Sequence, residues 1–198
     1  MSPKGERILI ETVEQWADWL EANHGRREGV WLVSWTKATG KPSIAYEDMV
    51  CEALRFGWID SKGIRLDEER AMQWLSPRRP GSGWARTNKG RIERLEREGR
   101  MAPAGRQVIE AAKEDGTWQL LDAVEDLIVP DDLAAAFATN PGSADHWEAF
   151  PKSVKRAILE WIVQAKRPET RARRVTETAT LAARGERANQ PKPTSEDR

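Results

Sequence analysis

Two β-forming runs lie between a glycine and a pair of prolines, and this arrangement limits the fold more than any other feature of the chain. Residues Phe56 to Trp84 read FGWIDSKGIRLDEERAMQWLSPRRPGSGW. Gly57 closes a helical pattern. Pro77 and Pro80 have no N–H to give to a ladder. Between them, Asp67-Glu68-Glu69 interrupts the alternation, so two antiparallel strands are expected, Trp58 to Leu66 and Arg70 to Ser76. Alternation puts Trp58, Asp60 and Lys62 on one face of the first strand, and Met72, Trp74 and Ser76 on one face of the second. A third strand is expected in GVWLVSWTK, residues 29–37, which is apolar on both faces and suits a central position covered on both sides.

The rest of the chain has helical periodicity. Thr12 and Gln15 form a T-x-x-Q capping box opening a helix whose inward residues are Val13, Trp16, Ala17 and Leu20. A second helix is expected from Ala45 to Phe56. Beyond Gly83, helices are expected from Trp84 to Glu98, from Pro103 to Glu114, from Trp118 to Leu127, from Asp131 to Phe137, after a Ser153 cap, and from Pro168 to Gly185. The fold class is α+β: a small, mostly antiparallel sheet of three strands flanked by helices, followed by a helical C-terminal bundle. The expected division is an α+β part over 1–100, a helical part over 101–187 and a disordered tail over 188–198.

At 198 residues the chain can bury a sizeable core without staples. A single cysteine, Cys51, excludes an internal disulfide. It lies on the apolar side of the second helix, where a thiol is inert. With His24 and His146 as the only histidines, no zinc-ligand spacing is present, and neither a metal nor a cofactor is expected. No apolar run has the length of a signal peptide or membrane span, so the expected compartment is the cytoplasm.

The formal net charge is zero, but the charge is segregated. Glu114 to Phe150 carries acids and no Lys or Arg. Lys152 to Arg187 is predominantly basic. Either the two segments neutralise each other, or the bases serve an external partner.

Three groups of residues are candidate sites. In the first, Trp58, Asp60, Lys62, Arg65, Trp74, Ser76 and Arg78 surround the two strands. A carboxylate inside a strand must be paired, hydrogen-bonded or protonated, and Lys62, Arg65, Arg70 and Arg78 are the nearby cations. This group forms either a pocket floored by Trp58 and Trp74, or an ion pair fixing the hairpin with the tryptophans as core. The second is KRPETRARR, residues 166–174, where Arg167, Arg171 and Arg174 recur on one face at a helix start and oppose the helix dipole. They dock on the acidic segment or hold an anion. The third is the basic helix carrying Arg86, Lys89, Arg91, Arg94, Arg97 and Arg100, read as a solvated face, with phosphate contact as the alternative. No phosphate-binding glycine loop, HExxH or nucleophile elbow is present, and no catalytic residue is assigned.

The ordered motifs FGWID (56–60), WLSPR (74–78), GRM-P-G (99–105) and EWIVQAKRPETRARR (160–174) resemble the YdeI/OmpD-associated family, which also carries a bacteriocin-protection label. The resemblance runs over about 10–185, and about 128–187 looks like the module that defines the family. It implies a bacterial or archaeal protein without an established enzymatic activity, named for genetic association with envelope stress and an outer-membrane porin. Some members are described as periplasmic, which the lack of an export signal here does not match.

The expected function is a non-enzymatic, stress- or bacteriocin-resistance-associated protein that binds a small anionic ligand or a protein partner. One alternative is a nucleic-acid-binding accessory protein using basic segments 78–106 and 152–187. The other is an enzyme with Asp60 as acid/base.

Overall fold

The structure is a computed structural model, and it describes residues 4–190. Its elements are β1 (Arg7–Leu9), α1 (Val13–Asn23), β2 (Val30–Trp35), α2 (Tyr46–Arg55), β3 (Trp58–Arg65), β4 (Arg70–Pro77), α3 (Arg86–Arg97), α4 (Pro103–Glu114), α5 (Asp122–Glu125), α6 (Asp131–Ala138), α7 (Ser143–Ala149), α8 (Lys152–Val163) and α9 (Pro168–Ala182). They form two compact units. The first holds the chain to Ser82 together with Thr87–Trp118, so α4 belongs to it. The second holds Gly83–Arg86 and everything from Gln119.

The first unit is built on a four-stranded mixed sheet in the order β1-β2-β4-β3. This corrects the expected three-stranded sheet. The added strand, β1, pairs in parallel with β2, and α1 is the crossover that a parallel pair requires. Three residues are too few to show a period, which is why β1 was not visible in the sequence. The other pairings are antiparallel, and β2 is interior as expected.

Thr12 caps α1 as its sequence predicts, accepting from Gln15 N at 3.3 Å, while Gln15 Oε1 accepts from Glu11 N at 2.9 Å. Helix α2 buries six consecutive residues, Met49 to Leu54, so it is packed on more than one side. Trp16 Nε1 on α1 donates to the Met49 carbonyl (3.0 Å) and Trp58 Nε1 on β3 donates to the His24 carbonyl (2.9 Å), which fixes helix and strand against each other. Gly57, at φ 77°, makes the left-handed turn from α2 into β3, and its carbonyl accepts from Arg78 N.

Register assigns the faces of the sheet. Asp60 pairs with Leu75, and Leu75 with Val30; Gly63 pairs with Gln73, and Gln73 with Leu32. These residues share the face turned toward α1 and α2. The other face carries Trp31, Val33 and Met72, all buried, with Ile64, Leu66 and Trp74 packed around them.

In the second unit α9 is the shared wall, touching α6, α7 and α8. The core contains Leu133, Phe137, Trp147, Ile158, Ile162, Val175 and Ala179. Helix α7, unforeseen in sequence, follows the Asn140-Pro141-Gly142 break, and Ser143 Oγ donates to the Phe137 carbonyl across it. Neither Asp131 nor Ser153 caps a helix: both lie inside their first turns, after Pro130 and Pro151. Pro168 opens α9 as expected. Of the tail expected over 188–198, Ala188 is packed in this core and 191–198 lie outside the described residues. Among the described residues, no helix is long and apolar enough to cross a membrane.

Where α4 meets the end of α2, Gly105 has no room for a side chain: a Cβ would collide with the Arg55 carbonyl and lie 2.8 Å from Met101 Cε. Gly105→Ala would gain about 1 kcal/mol of helix propensity, yet overpacking costs about 1–3 kcal/mol. The variant is expected to melt below the parent in thermal or urea unfolding; an equal or higher melting temperature would contradict this packing.

Candidate functional site

The expected pocket floored by Trp58 and Trp74 does not form, because the two rings lie on opposite faces of the sheet. Trp58 is 1% exposed and is held edge-on to Trp19 on the helix side. Trp74 stacks edge-on to Trp31 on the other face, 5.2 Å between centroids, and Ser76 is on that face too. The register shift between Asp60 and Gly63 moves Lys62 away from Asp60, and its ammonium lies 5.5 Å from the Trp31 ring centroid. Arg70, one of the cations considered for Asp60, pairs instead with Asp67 at 2.5 Å. Arg78 is partly buried, and burial lowers its pKa to about 10, so it stays charged at neutral pH.

Asp60 is bound by neutral donors rather than by the cations expected from sequence. Tyr46 Oη donates to Asp60 Oδ2 at 2.8 Å and Gln73 Nε2 donates to the same oxygen at 3.1 Å. A carboxylate can only accept here, so the Gln73 amide is oriented and its Oε1 faces away as an acceptor. That oxygen lies over Gly63, where a Cβ would approach it to 2.5 Å. The glycine in the irregular stretch of β3 is thus what makes room for Gln73.

Tyr46 and Gln73 both line a cleft of about 420 Å³ between the sheet and the start of α2. Ile44 and Met49 supply apolar lining, the strand residues Ile64, Ala71 and Met72 border it, and Ser34, Thr36 and Arg65 supply further polar groups. The Thr36 hydroxyl is buried and makes no hydrogen bond among the described residues. Arg65 donates through Nε to the Asp67 carbonyl (3.0 Å) and through Nη2 to the Glu68 carbonyl (2.8 Å). Both acceptors are neutral, so its charge is not cancelled by a carboxylate among the described residues. Sequence reasoning found Asp60 and Arg65 but missed Tyr46, Gln73, Ser34 and Thr36. Polar residues at inward positions of buried strands, and the one tyrosine of the chain at a helix start, were the available signals.

Desolvation raises the Tyr46 pKa, and the Asp60 contact adds to it, so the phenol remains a neutral donor. Next to it on α2, Glu47 takes two hydrogen bonds from Arg91 Nε and one from Arg91 Nη2, and one from Arg94 Nη2 at 2.8 Å. These arginines, Arg91 first, hold Glu47 at about 2. Arg94 also reaches Cys51 Sγ at 2.9 Å, but burial dominates and raises the thiol pKa. Cys51 is 3% exposed.

The second group of candidates lies in the second unit. Arg171 makes a two-pronged bond to Asp132, 2.7 and 3.0 Å. Arg174 donates to the Trp161 carbonyl and stacks on that indole. Arg167 is exposed at the N-cap of α9, outside the helix, so the three do not form one face. Lys155 with Glu148 and Arg156 with Glu125 add to the pairing of the basic segment with the acidic one. In the basic helix, Arg86 pairs with Asp126, Arg91 and Arg94 with Glu47, and Arg100 with Glu52 and Glu98.

The chain is thus a mixed-sheet α+β unit followed by an all-helical one. Residues 126–185, within the helical unit, match the family model described as Bacteriocin-protection, YdeI or OmpD-Associated, the family that the sequence motifs resemble. Residues 8–108, half of the chain, match a second model, a domain of unknown function (DUF8412), and the chain belongs to that family. No curated protein and no solved structure matches the chain.

A carboxylate held near 2 when folded and at its ordinary 4.5 when unfolded contributes stability above 4.5, and loses it as pH falls toward 2. Glu47→Gln should therefore be less stable than the parent at neutral pH, with the deficit shrinking between about pH 5 and pH 2. Urea melts across that range test it; a deficit independent of pH would assign Glu47 a packing role instead.

Proposed function

We propose that the first unit is a binding module for a small anionic ligand, in a bacteriocin-resistance-associated protein, a reading supported by the match of residues 126–185 to the model described as Bacteriocin-protection, YdeI or OmpD-Associated. The observation that carries this reading is the uncancelled guanidinium of Arg65 at a cleft with an apolar lining and two hydroxyls, Ser34 and Thr36. Most ligand sites share this composition, an apolar surface with a few convergent polar groups. Hydrogen bonds to a charged partner are the stronger kind, about 1.5–3 kcal/mol each. Asp60 has a positioning role, orienting Tyr46 and Gln73.

Catalysis by Asp60 has less support. Its Oδ2 is occupied by two donors, and the raised Tyr46 pKa makes the phenol a poor base at neutral pH. The nucleic-acid reading has less support as well, because many arginines of both basic segments pair with acids of their own chain.

Inorganic phosphate, acetate and a set of phosphorylated metabolites, followed by calorimetry, test the reading. Saturable binding is expected, weakened about ten- to a hundred-fold by Arg65→Gln and more modestly by Asp60→Asn, with little change in melting temperature for either. Binding that survives Arg65→Gln unchanged would remove this cleft as the anion site.

A further inference from the structure

The cleft is flanked by a second isolated charge, of opposite sign. Asp60 is half-buried, and both its hydrogen bonds come from neutral groups, Tyr46 Oη and Gln73 Nε2. It has no ion pair, and Oδ1 takes no hydrogen bond, among the described residues. Burying a carboxylate without a cation is costly unless something else balances it. Arg65 has the complementary situation, its guanidinium satisfied by two backbone carbonyls. Four cations were near enough in sequence to pair with Asp60, and the register shift after Asp60 turns Lys62, the closest of them, to the other face.

The two ends of the cleft also differ in hydrogen-bonding character. At the Asp60 end, the oriented Gln73 amide presents Oε1 as an acceptor beside Gly63, and the Tyr46 oxygen has a lone pair to spare. At the Arg65 end there are donors: the guanidinium and the hydroxyls of Ser34 and Thr36, the latter unpartnered. A plain anion would use only the second end.

We infer that the ligand is a linear zwitterion of short-peptide size, with its ammonium at the Tyr46–Gln73–Asp60 end and its carboxylate at the Arg65 end. This rests on the proposed anion site and adds the opposite pole to it. Asp60 and Arg65 stand five residues apart on an irregular strand, which at about 3.3 Å per residue separates their backbones by roughly 13–16 Å. After allowance for the side chains, the bound charges stand on the order of 10 Å apart, which is too far for a free α-amino acid and close to the span of an extended tripeptide at about 3.5 Å per residue. A cleft of about 420 Å³ has the volume for it, and Ile44 and Met49 would take an apolar side chain.

The experiment compares tri-alanine with three relatives on the unmodified protein by calorimetry: N-acetyl-tri-alanine, tri-alanine amide and alanine. Tri-alanine is expected to bind at least about ten-fold more tightly than each. Asp60→Asn should abolish the preference for the free over the acetylated amine and keep the preference for the free carboxylate, and Arg65→Gln should do the converse. Equal binding of tri-alanine and its acetylated form would overturn the zwitterion. If phosphate and acetate then still bind in an Arg65-dependent manner, the anion site stands without it. Failure of all the peptides and of both anions to bind would overturn the two readings together. Circular dichroism melts of both variants separate lost binding from lost fold, and the four-ligand comparison needs no variant.

Discussion

The architecture of the cleft depends on one irregularity in the edge strand β3, between Asp60 and Gly63. In a regular strand, Lys62 would share the face of Asp60 and could neutralise it. The shift turns the lysine to the opposite face and puts a glycine opposite Gln73. The missing Cβ admits the amide, and the amide together with Tyr46 supplies the donors the carboxylate would otherwise lack. An irregularity that re-aims side chains is a recurrent device beside binding sites. Here it separates Asp60 from Lys62, and without it the carboxylate beside the cleft would share its face with a cation.

The elements were more legible in the sequence than their consequences. The two runs after Gly57, the central strand and the Thr12 cap follow from period and local chemistry, and the structure has them. The face assignment of Lys62 failed because alternation presumes a regular strand, and nothing in SKG announces a shift. The pairing of Trp58 with Trp74 failed for another reason. Which residue of one strand opposes which residue of the next is set by packing against α1 and α2, which a single strand pattern does not encode. Asp60 was recognised as needing partners, but its partners came from Tyr46, fourteen residues earlier on a helix, and Gln73, a polar residue between buried ones. Both are long-range choices.

Charge in the second unit was legible in outline. An acidic stretch followed by a basic one reads as mutual neutralisation, and Asp132 with Arg171, Glu148 with Lys155 and Glu125 with Arg156 are instances of it. Arg174 is different. Its planar group lies on the Trp161 indole and donates to that residue's carbonyl, a use of arginine as a packing piece. The helix start at Pro168, which carries cations against its dipole, is therefore accounted for by neighbours within its own unit.

The sheet face opposite the cleft has a consequence for how the protein behaves in concentrated solution. Trp31, Val33 and Met72 are buried there, and long cations lie over neighbouring rings: Lys62 at Trp31, and Lys41 and Arg70 at Trp35, with Lys41 only 3.8 Å from the ring centroid. Their hydrocarbon stems shield apolar surface while their charged heads stay in water. Lys41 and Arg70 carry their charge beside Glu69 and Asp67, while Lys62, with no carboxylate partner among the described residues, leaves positive charge over Trp31. Chemistry that neutralises the Lys62 amine, such as acetylation, would strip this face of that charge and favour association through it.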